Sequence, residues 1–388
     1  MYKIDGKMKG LLFVLRAVFG GVFIYSGFVK AVDPWGTAYK IEEYLTAFAM
    51  NGLLDMFSWL PIAASVFLCC LEFMIGVIMF FGFFRKFSKW ISAIIMCFFT
   101  ILTFVDALAN RVSDCGCFGD AITLTNWQTF WKNIVLDVIL LGVFLLDRKV
   151  AIMPSKINSK LITSVFAVLV VCFSVYNTVY EPVIDFRPWK IGNQMVPVGE
   201  DVKPPISYAT YRNNSTGEEK EFNMEELMAE YETNKTFDSV WTFVNSRVEN
   251  TNEVAAEGFS LQALGLDEDN TFDILSDTAS DLYMITTYDI RKASEKGMEK
   301  ALEFVREAVE TDMARAMIVT ASNLDVCVGY QERFDVKDIP FYSSDDKSIK
   351  TILRSNPGVI KISKGRVADK WSWRSLPDED EYFQKNNK

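Results

Sequence analysis

Five apolar stretches, at about residues 10–31, 58–84, 88–109, 128–146 and 161–180, constrain this chain more than any other feature. Each is close to or above the roughly 20 residues an α-helix needs to cross a bilayer. Lipid offers no partner to backbone N–H and C=O groups, so helices, which satisfy both internally, are the expected form. The expected fold class is an α-helical membrane bundle followed by a soluble α/β domain. Four helices occupy residues 1–150, a fifth crossing helix and a linker 151–206, and the soluble part 207–388. Pro182, Pro188, Pro197, Pro204 and Pro205 interrupt regular structure in the linker.

Charge divides the chain at the same place. Residues 1–180 carry 15 Lys and Arg against 11 Asp and Glu, whereas the rest carry 25 against 39. Lys3, Lys7 and Lys9 precede the first stretch, Arg85, Lys86 and Lys89 lie between the second and third, and Arg148, Lys149, Lys156 and Lys160 lie between the fourth and fifth. The other two loops hold Lys40 and Arg111. Positive loops stay cytoplasmic, so the N-terminus is expected inside and the soluble domain outside the plasma (inner) membrane, in the periplasm where two membranes exist. Trp35, Trp59, Trp127 and Trp131 fall near the outer helix ends, as interfacial anchors do. The first stretch is too long for a cleaved signal peptide, contains Arg16 and lacks a small-residue cleavage site. An acidic outer domain without a basic cluster argues against nucleic acid as a partner.

The chain has no histidine, which excludes His general bases, His-ligated metals and Ser-His-Asp triads. Chemistry then falls to thiols, carboxylates, Lys, Arg or a bound cofactor. Cys69, Cys70, Cys97 and Cys172 lie inside apolar stretches, where cysteine packs as a small apolar residue. Cys115 and Cys117 differ, since Asp114-Cys115-Gly116-Cys117-Phe118-Gly119 forms a short loop expected on the oxidising side. A bridge between residues i and i+2 departs from relaxed disulfide geometry, and Gly116 supplies unusual backbone angles that ease it. Strained, accessible disulfides are the labile ones. The pair is therefore a candidate redox site, with a structural staple as the alternative, and two thiols without histidine are too few for a structural zinc site.

Four charged residues, Arg16, Glu72, Asp106 and Asp137, sit within apolar stretches and are expected to face the bundle interior. By depth, Arg16 and Glu72 are the natural ion pair. Asp106, close in sequence to the cysteine loop, is either a proton acceptor for thiol oxidation or a solvated helix-end residue. Residues 37–52 read as an amphipathic helix, with Tyr39, Ile41, Tyr44, Leu45 and Phe48 at the interface.

Taken together, Arg16-x-x-x-Gly20-x-x-x-x-x-Ser26-Gly27-x-x-Lys30 followed by Asp33-Pro34, then Glu72 and Gly76, then the Asp-Cys-Gly-Cys-Phe-Gly loop, resemble the methylamine-utilisation membrane proteins (MauE) of the wider DoxX-like group. The resemblance covers about residues 8–147. It implies a four-helix membrane bundle that assists disulfide formation or maturation of an exported enzyme. By broader analogy with vitamin K epoxide reductase, electrons pass from thiols to a membrane quinone. It makes Cys115 and Cys117 the redox pair, and Arg16, Lys30, Glu72, Asp114, Gly116, Phe118 and Gly119 residues that line or support the site. The expected partners are the lipid bilayer and an exported thiol protein or membrane redox protein.

In the soluble part, a hairpin around Asn213–Gly217, a helix at 223–232 and a strand near 240–245 are expected. From about 272 the order becomes strand (282–287), helix (294–310, with Met298, Ala301, Leu302, Val305 and Val309 inward), strand (316–320), a short strand near 339–342, helix, then Asn356-Pro357-Gly358 and a hairpin ending near Trp371. That order resembles the thioredoxin fold, with Pro357 in place of that family's active-site proline. The turn where that family carries Cys-x-x-Cys reads Tyr288-Asp289-Ile290-Arg291-Lys292-Ala293-Ser294. A redox-silent binding module is expected, with Cys327 buried and Trp371-Ser372-Trp373-Arg374 as a contact surface or hairpin packing.

Overall fold

The computed structural model describes residues 6–109, 112, 116–147, 158–199, 202, 206–234, 236–249, 254–255, 258–266, 268–334, 336–378 and 381–383. Two compact units meet between Arg187 and Pro188.

Among the described residues, the first unit contains five helices long and apolar enough to cross a membrane: α1 (Gly6–Val32), α4 (Leu60–Phe81), α5 (Arg85–Ala109), α6 (Asn126–Asp147) and α7 (Ser159–Val179). Two shorter helices, α2 (Pro34–Ala47) and α3 (Asn51–Met56), fill the connection after α1. Asp33 caps α2, accepting from Gly36 N at 3.0 Å, and Pro34 supplies a helix-ready φ at the first position.

Helices α1 and α4 approach until backbone meets backbone. A Cβ on Gly27 would lie 2.4 Å from Phe73 N, one on Gly76 2.5 Å from Ile24 N, and one on Gly20 2.8 Å from Gly76 O. The three glycines of the helix-one and helix-four pattern are thus a packing requirement. Small residues let helices associate in lipid, where the hydrophobic effect offers no drive between them. Leu12, Phe19, Phe23, Ile75, Met79, Met96, Leu136, Leu140 and Val143 form the adjoining core, and α7 closes a smaller one through Val170, Ala31 and Cys69. Cys97 and Cys172 are exposed on their helices, where apolar chains such as Phe98 and Val171 are exposed too.

The chain leaving α7 is held by Arg187, which is 2 % exposed and bonds Glu181 at 3.0 Å and Asp185 at 2.7 Å. Burial opposes its charge, yet Glu181, Asp185 and Asp33 outweigh that and raise its pKa.

The described residues of the second unit form two sheets. A three-stranded sheet has the order β2 (Glu219–Asn223), β1 (Ile206–Asn213), β3 (Trp241–Glu249), antiparallel throughout. Helix α8 (Met224–Thr233) follows β2 with a capping box between Asn223 and Glu226, and the single-turn α9 (Phe237–Val240) leads into β3. Phe222, Leu227 and Phe237 make its core.

The larger sheet has the order β4 (Gln262–Ala263), β7 (Phe341–Ser343), β6 (Arg315–Thr320), β5 (Leu282–Thr287), β8 (Gly358–Ser363), β9 (Arg366–Ser372). β5, β6 and β7 run parallel, with Met284 opposite Met317 and Ile318 opposite Phe341. β8 pairs antiparallel with β5, and the hairpin to β9 turns through Lys364 (φ 51°) and Gly365 (φ 69°). Side chains alternate across a strand, so Leu282 and Met284 enter one core while Tyr283 and Ile285 enter the other. Burial on both faces is why β5 opens with Leu282, Tyr283, Met284 and Ile285 in succession, before Thr286 and Thr287, which are buried as well.

Around the sheet lie α10 (Thr271–Ser276), α11 (Glu295–Asp312), α12 (Leu324–Phe334) and α13 (Asp346–Ile352). Met298, Ala301, Leu302 and Val305 of α11 face inward as expected, whereas Val309, at the end of the stripe, is exposed. The Asn356–Pro357 peptide is cis and precedes β8.

Two differences from the sequence reading have clear causes, and one alternative is decided. The segment expected as a linker packs against the larger core over residues 189–196: Trp189, Met195 and Val196 are buried in it, and Met195 N bonds Gly365 O at 2.7 Å. Its prolines exclude helix but not irregular packed structure. Helix α12 was not anticipated, because its apolar face is short and only Cys327 is fully buried. Trp371 packs against Phe304 and Tyr382 at 5.5 Å, and a Cβ on Gly297 would meet Trp373 at 2.8 Å, so both tryptophans serve packing.

Candidate functional site

The cysteine loop rests on a buried polar cluster. Lys30 Nζ donates to both carboxylate oxygens of Glu72 at 2.7 Å and to Ser26 Oγ at 3.2 Å. Ser26 Oγ lies 2.7 Å from Glu72 Oε2 and 2.7 Å from the carbonyl oxygen of Cys117, and its single proton can serve either acceptor. The side chains of Lys30 and Glu72 are only 7 % and 2 % exposed. Ser26 and Lys30 stand one helical turn apart on α1, so both reach Glu72 across the glycine-lined contact with α4. The geometry joins the loop backbone to a buried ion pair through one hydroxyl.

Glycines shape the loop itself. Gly116 adopts φ +60° and Gly119 φ +50°, in the left-handed region where a Cβ is penalised. Gly119 N closes a turn on Gly116 O at 3.1 Å. The ring of Phe118 is tilted against Tyr25 at 5.6 Å and lies 4.7 Å beneath Lys132 Nζ. A Cβ on Gly116 would stand 3.2 Å from Lys40 Cγ, which places α2 beside the loop. Asp114 and Cys115 lie outside the described residues, so the pairing read for Cys115 and Cys117 is not addressed by the geometry.

Asp106 is 1 % exposed, and Tyr44 Oη of α2 donates to its Oδ2 at 2.5 Å. The solvated alternative therefore fails. Part of the amphipathic stretch turns inward, with Thr37 and Ala38 buried, and just ahead of it Trp35 Nε1 donates to Thr178 O at 3.0 Å and Ser65 Oγ to Pro34 O at 2.6 Å. Asp137 is half-buried and accepts from Thr100 Oγ1 at 2.8 Å.

The expected Arg16–Glu72 pair does not form. Glu72 pairs with Lys30, while Arg16 pairs with Asp147 at 2.9 Å, together with Arg85 and Lys89. Depth along the sequence is too coarse here. Fourteen residues of α1, about 20 Å of rise, separate Arg16 from Lys30, and Glu72 falls near the latter. Asp147 was missed, although a lone acid closing an apolar segment beside Arg148 and Lys149 is a readable signal.

In the second unit a crevice of about 430 Å³ opens beyond the carboxyl ends of β5 and β6, lined by Tyr288, Asp289, Arg291, Ser322, Asn323 and Lys350. Open α/β sheets place ligands at such an edge. No described thiol lines it. Cys327 is buried, with Sγ 3.6 Å from Ser322 O, and burial pushes its pKa up to about 11. Pro357 Cδ lies within 3.0 Å of where a Cβ on Gly297 would stand, at the first turn of α11. Among the described residues no group of three or more Cys, Asp or Glu is arranged to hold a metal ion.

Residues 8–146 match the family model of methylamine utilisation protein MauE, somewhat over a third of the chain. That stretch, which holds α1 to α6, is similar to that family, in agreement with the resemblance carried by the helix-one pattern and the cysteine loop. With the five apolar helices, the match supports a multi-pass membrane protein. No curated protein and no solved structure matches the chain.

Proposed function

We propose that this membrane protein passes electrons from exported thiol proteins through the Cys115/Cys117 pair to a membrane quinone, and so assists maturation of exported proteins. One observation carries the reading: the carbonyl of Cys117 is seated, through Ser26, on the buried Lys30–Glu72 pair. Charges in an apolar bundle are costly and mark functional positions by default, and this one lies directly under the thiol loop.

The chemistry balances as two exchanges. A substrate thiolate attacks the Cys115–Cys117 disulfide, and a second substrate thiolate resolves the mixed disulfide. The substrate becomes a disulfide and the pair a dithiol. Restoring the bridge releases two electrons and two protons from that dithiol, which a membrane quinone would take up as quinol, with one proton passing first to a nearby carboxylate. Asp106, near the end of α5 that precedes the loop, is the assigned proton acceptor. The cysteine loop and the second unit are assigned to the extracytoplasmic side of the inner membrane on the charge of the flanking loops. The second unit, read as thioredoxin-like, has no thiol at its crevice and is assigned docking of the substrate protein, not exchange.

The test is the double variant Cys115→Ser/Cys117→Ser in the native host, with differential alkylation of exported thiol proteins. Accumulated reduced substrates are expected. An unchanged redox state would remove the electron-transfer reading in favour of a membrane scaffold with a structural disulfide. For the wild type, a reduction potential well above about −300 mV and re-oxidation by added quinone are expected.

A further inference from the structure

Away from the cysteine loop, three cations converge on one carboxylate. Arg16 Nη2 lies 2.9 Å from Asp147 Oδ1, Lys89 Nζ lies 2.5 Å from Oδ2, and the Arg85 guanidinium bonds Oδ1 through Nε at 2.7 Å and through Nη2. Arg85 Nη2 also reaches the backbone carbonyl of Asp147 at 3.4 Å. Side-chain exposure is 8 % for Arg16, 11 % for Lys89 and 7 % for Asp147, against 28 % for Arg85. Among the described residues, Asp147 is the only acid bonded to Arg16 or Lys89. Among the described residues, Arg16 and Lys89 thus share this one carboxylate, a surplus of one positive charge largely out of water. Arg16 Nε is buried with no hydrogen-bond partner. The turn between α4 and α5 is shaped for this guanidinium: Gly82, at φ +70°, would carry a Cβ only 2.6 Å from Arg16 Nη1.

Surplus buried cations are costly unless an anion supplies the missing charge and acceptors. A phosphate meets both needs, because its oxygens accept several charge-assisted hydrogen bonds and match the guanidinium fork. The surroundings point to a lipid as the source. From Arg85 and Lys89, α5 exposes Phe87, Trp90, Ile94, Phe98 and Ile101 at three- and four-residue spacing, which is one continuous face. Its aromatic end lies at the cationic cluster, as interfacial aromatics lie at headgroup level. A headgroup at Arg85 has its acyl chains beside that stripe.

We propose that Arg16, Arg85 and Lys89 form a binding site for the phosphate of an anionic phospholipid, entered from the half-open side at Arg85. The inference is independent of the redox reading.

The experiment uses the full chain in detergent with phosphatidylglycerol and phosphatidylcholine in equal amounts, and retained lipid is measured by native mass spectrometry. One surplus charge predicts a preference for phosphatidylglycerol of roughly fivefold. Lys89→Gln should lower it roughly fivefold. Lys86→Gln, at an exposed position outside the cluster, should leave it unchanged. If Lys89→Gln does not fold, Arg85→Gln replaces it, with Lys89→Arg expected to keep the preference. Absence of enrichment in the wild type overturns the proposal, as does an equal loss in Lys86→Gln, which would mean diffuse surface attraction. Inorganic phosphate that raises the thermal midpoint of lipid-free protein as much as phosphatidylglycerol does would overturn the lipid as occupant.

Discussion

Replacing Glu72 with Gln probes the centre of the bundle while changing little volume. In the wild type, the Lys30 ammonium has both Glu72 oxygens at 2.7 Å and Ser26 Oγ at 3.2 Å, with almost no exposure to solvent. Glu72→Gln leaves one amide oxygen to accept and removes the compensating charge. Breaking a buried pair from one side costs about 3–5 kcal/mol, because the remaining charge stays desolvated. Removing both charges is far milder, so Lys30→Met/Glu72→Gln should recover at least about 2 kcal/mol of that loss. Cys69 reports the opening: it is fully buried, and its Sγ lies 3.3 Å from Ser174 Oγ. Maleimide labelling of Cys69, read by peptide mass spectrometry under native conditions, follows the population of the opened bundle. Glu72→Gln should speed labelling by roughly 10²-fold or more, and the double variant should reverse most of that. An acceleration under about fivefold, or a double variant as fast as the single, would refute the ion pair as an internal lock.

Gly27→Ala forces a methyl into the backbone of α4, where Phe73 N stands at 2.4 Å. It should cost about 1–3 kcal/mol, whereas Gly21→Ala, with open space around it, should be neutral in the same thermal assay. Cys327, with its pKa near 11, is roughly one part in a thousand thiolate at pH 8. Iodoacetamide should therefore modify it far more slowly than a free thiol peptide, and comparable rates would contradict its burial. Burial opposes the charge of Asp281, but the hydrogen bonds from Lys361 and Ser363 outweigh it and hold its pKa below the usual carboxylate range. Its stabilisation is present above the unfolded carboxylate pKa and is lost as pH falls through the depressed folded value. Asp281→Asn should flatten the acid limb of the second unit's unfolding between about pH 5 and pH 2; an unchanged acid limb would remove this pair from the account.

The membrane helices were legible because bilayer thickness writes itself into segment length, and the strand at 282–287 because burial on both faces makes residues 282–285 continuously apolar. Gly20, Gly27 and Gly76 were legible as a pattern, but only the packed helices show that each meets facing backbone at less than 3 Å. The polar network was legible as a set of costly residues and illegible as a set of pairs. Arg16, Glu72, Asp106 and Asp137 advertise themselves by their cost in lipid, whereas Asp147, just past the end of its apolar stretch, does not. Which of them meet depends on helix order, rotation and rise, and those arise from contacts between residues as far apart as Arg16 and Asp147. Residues 188–198, with Pro188 and Pro197, make the same point in water. Their prolines forbid helix, yet the sheet buries Trp189 completely, because apolar area gains from burial in any backbone shape. Sequence by itself determined the spans, the charge asymmetry and the exclusion of histidine chemistry, since these need no partner to be defined. Tertiary structure alone decided that Glu72 serves Lys30 under the Cys117 carbonyl and that Asp147 serves three cations, because pairing is a property of the assembled bundle.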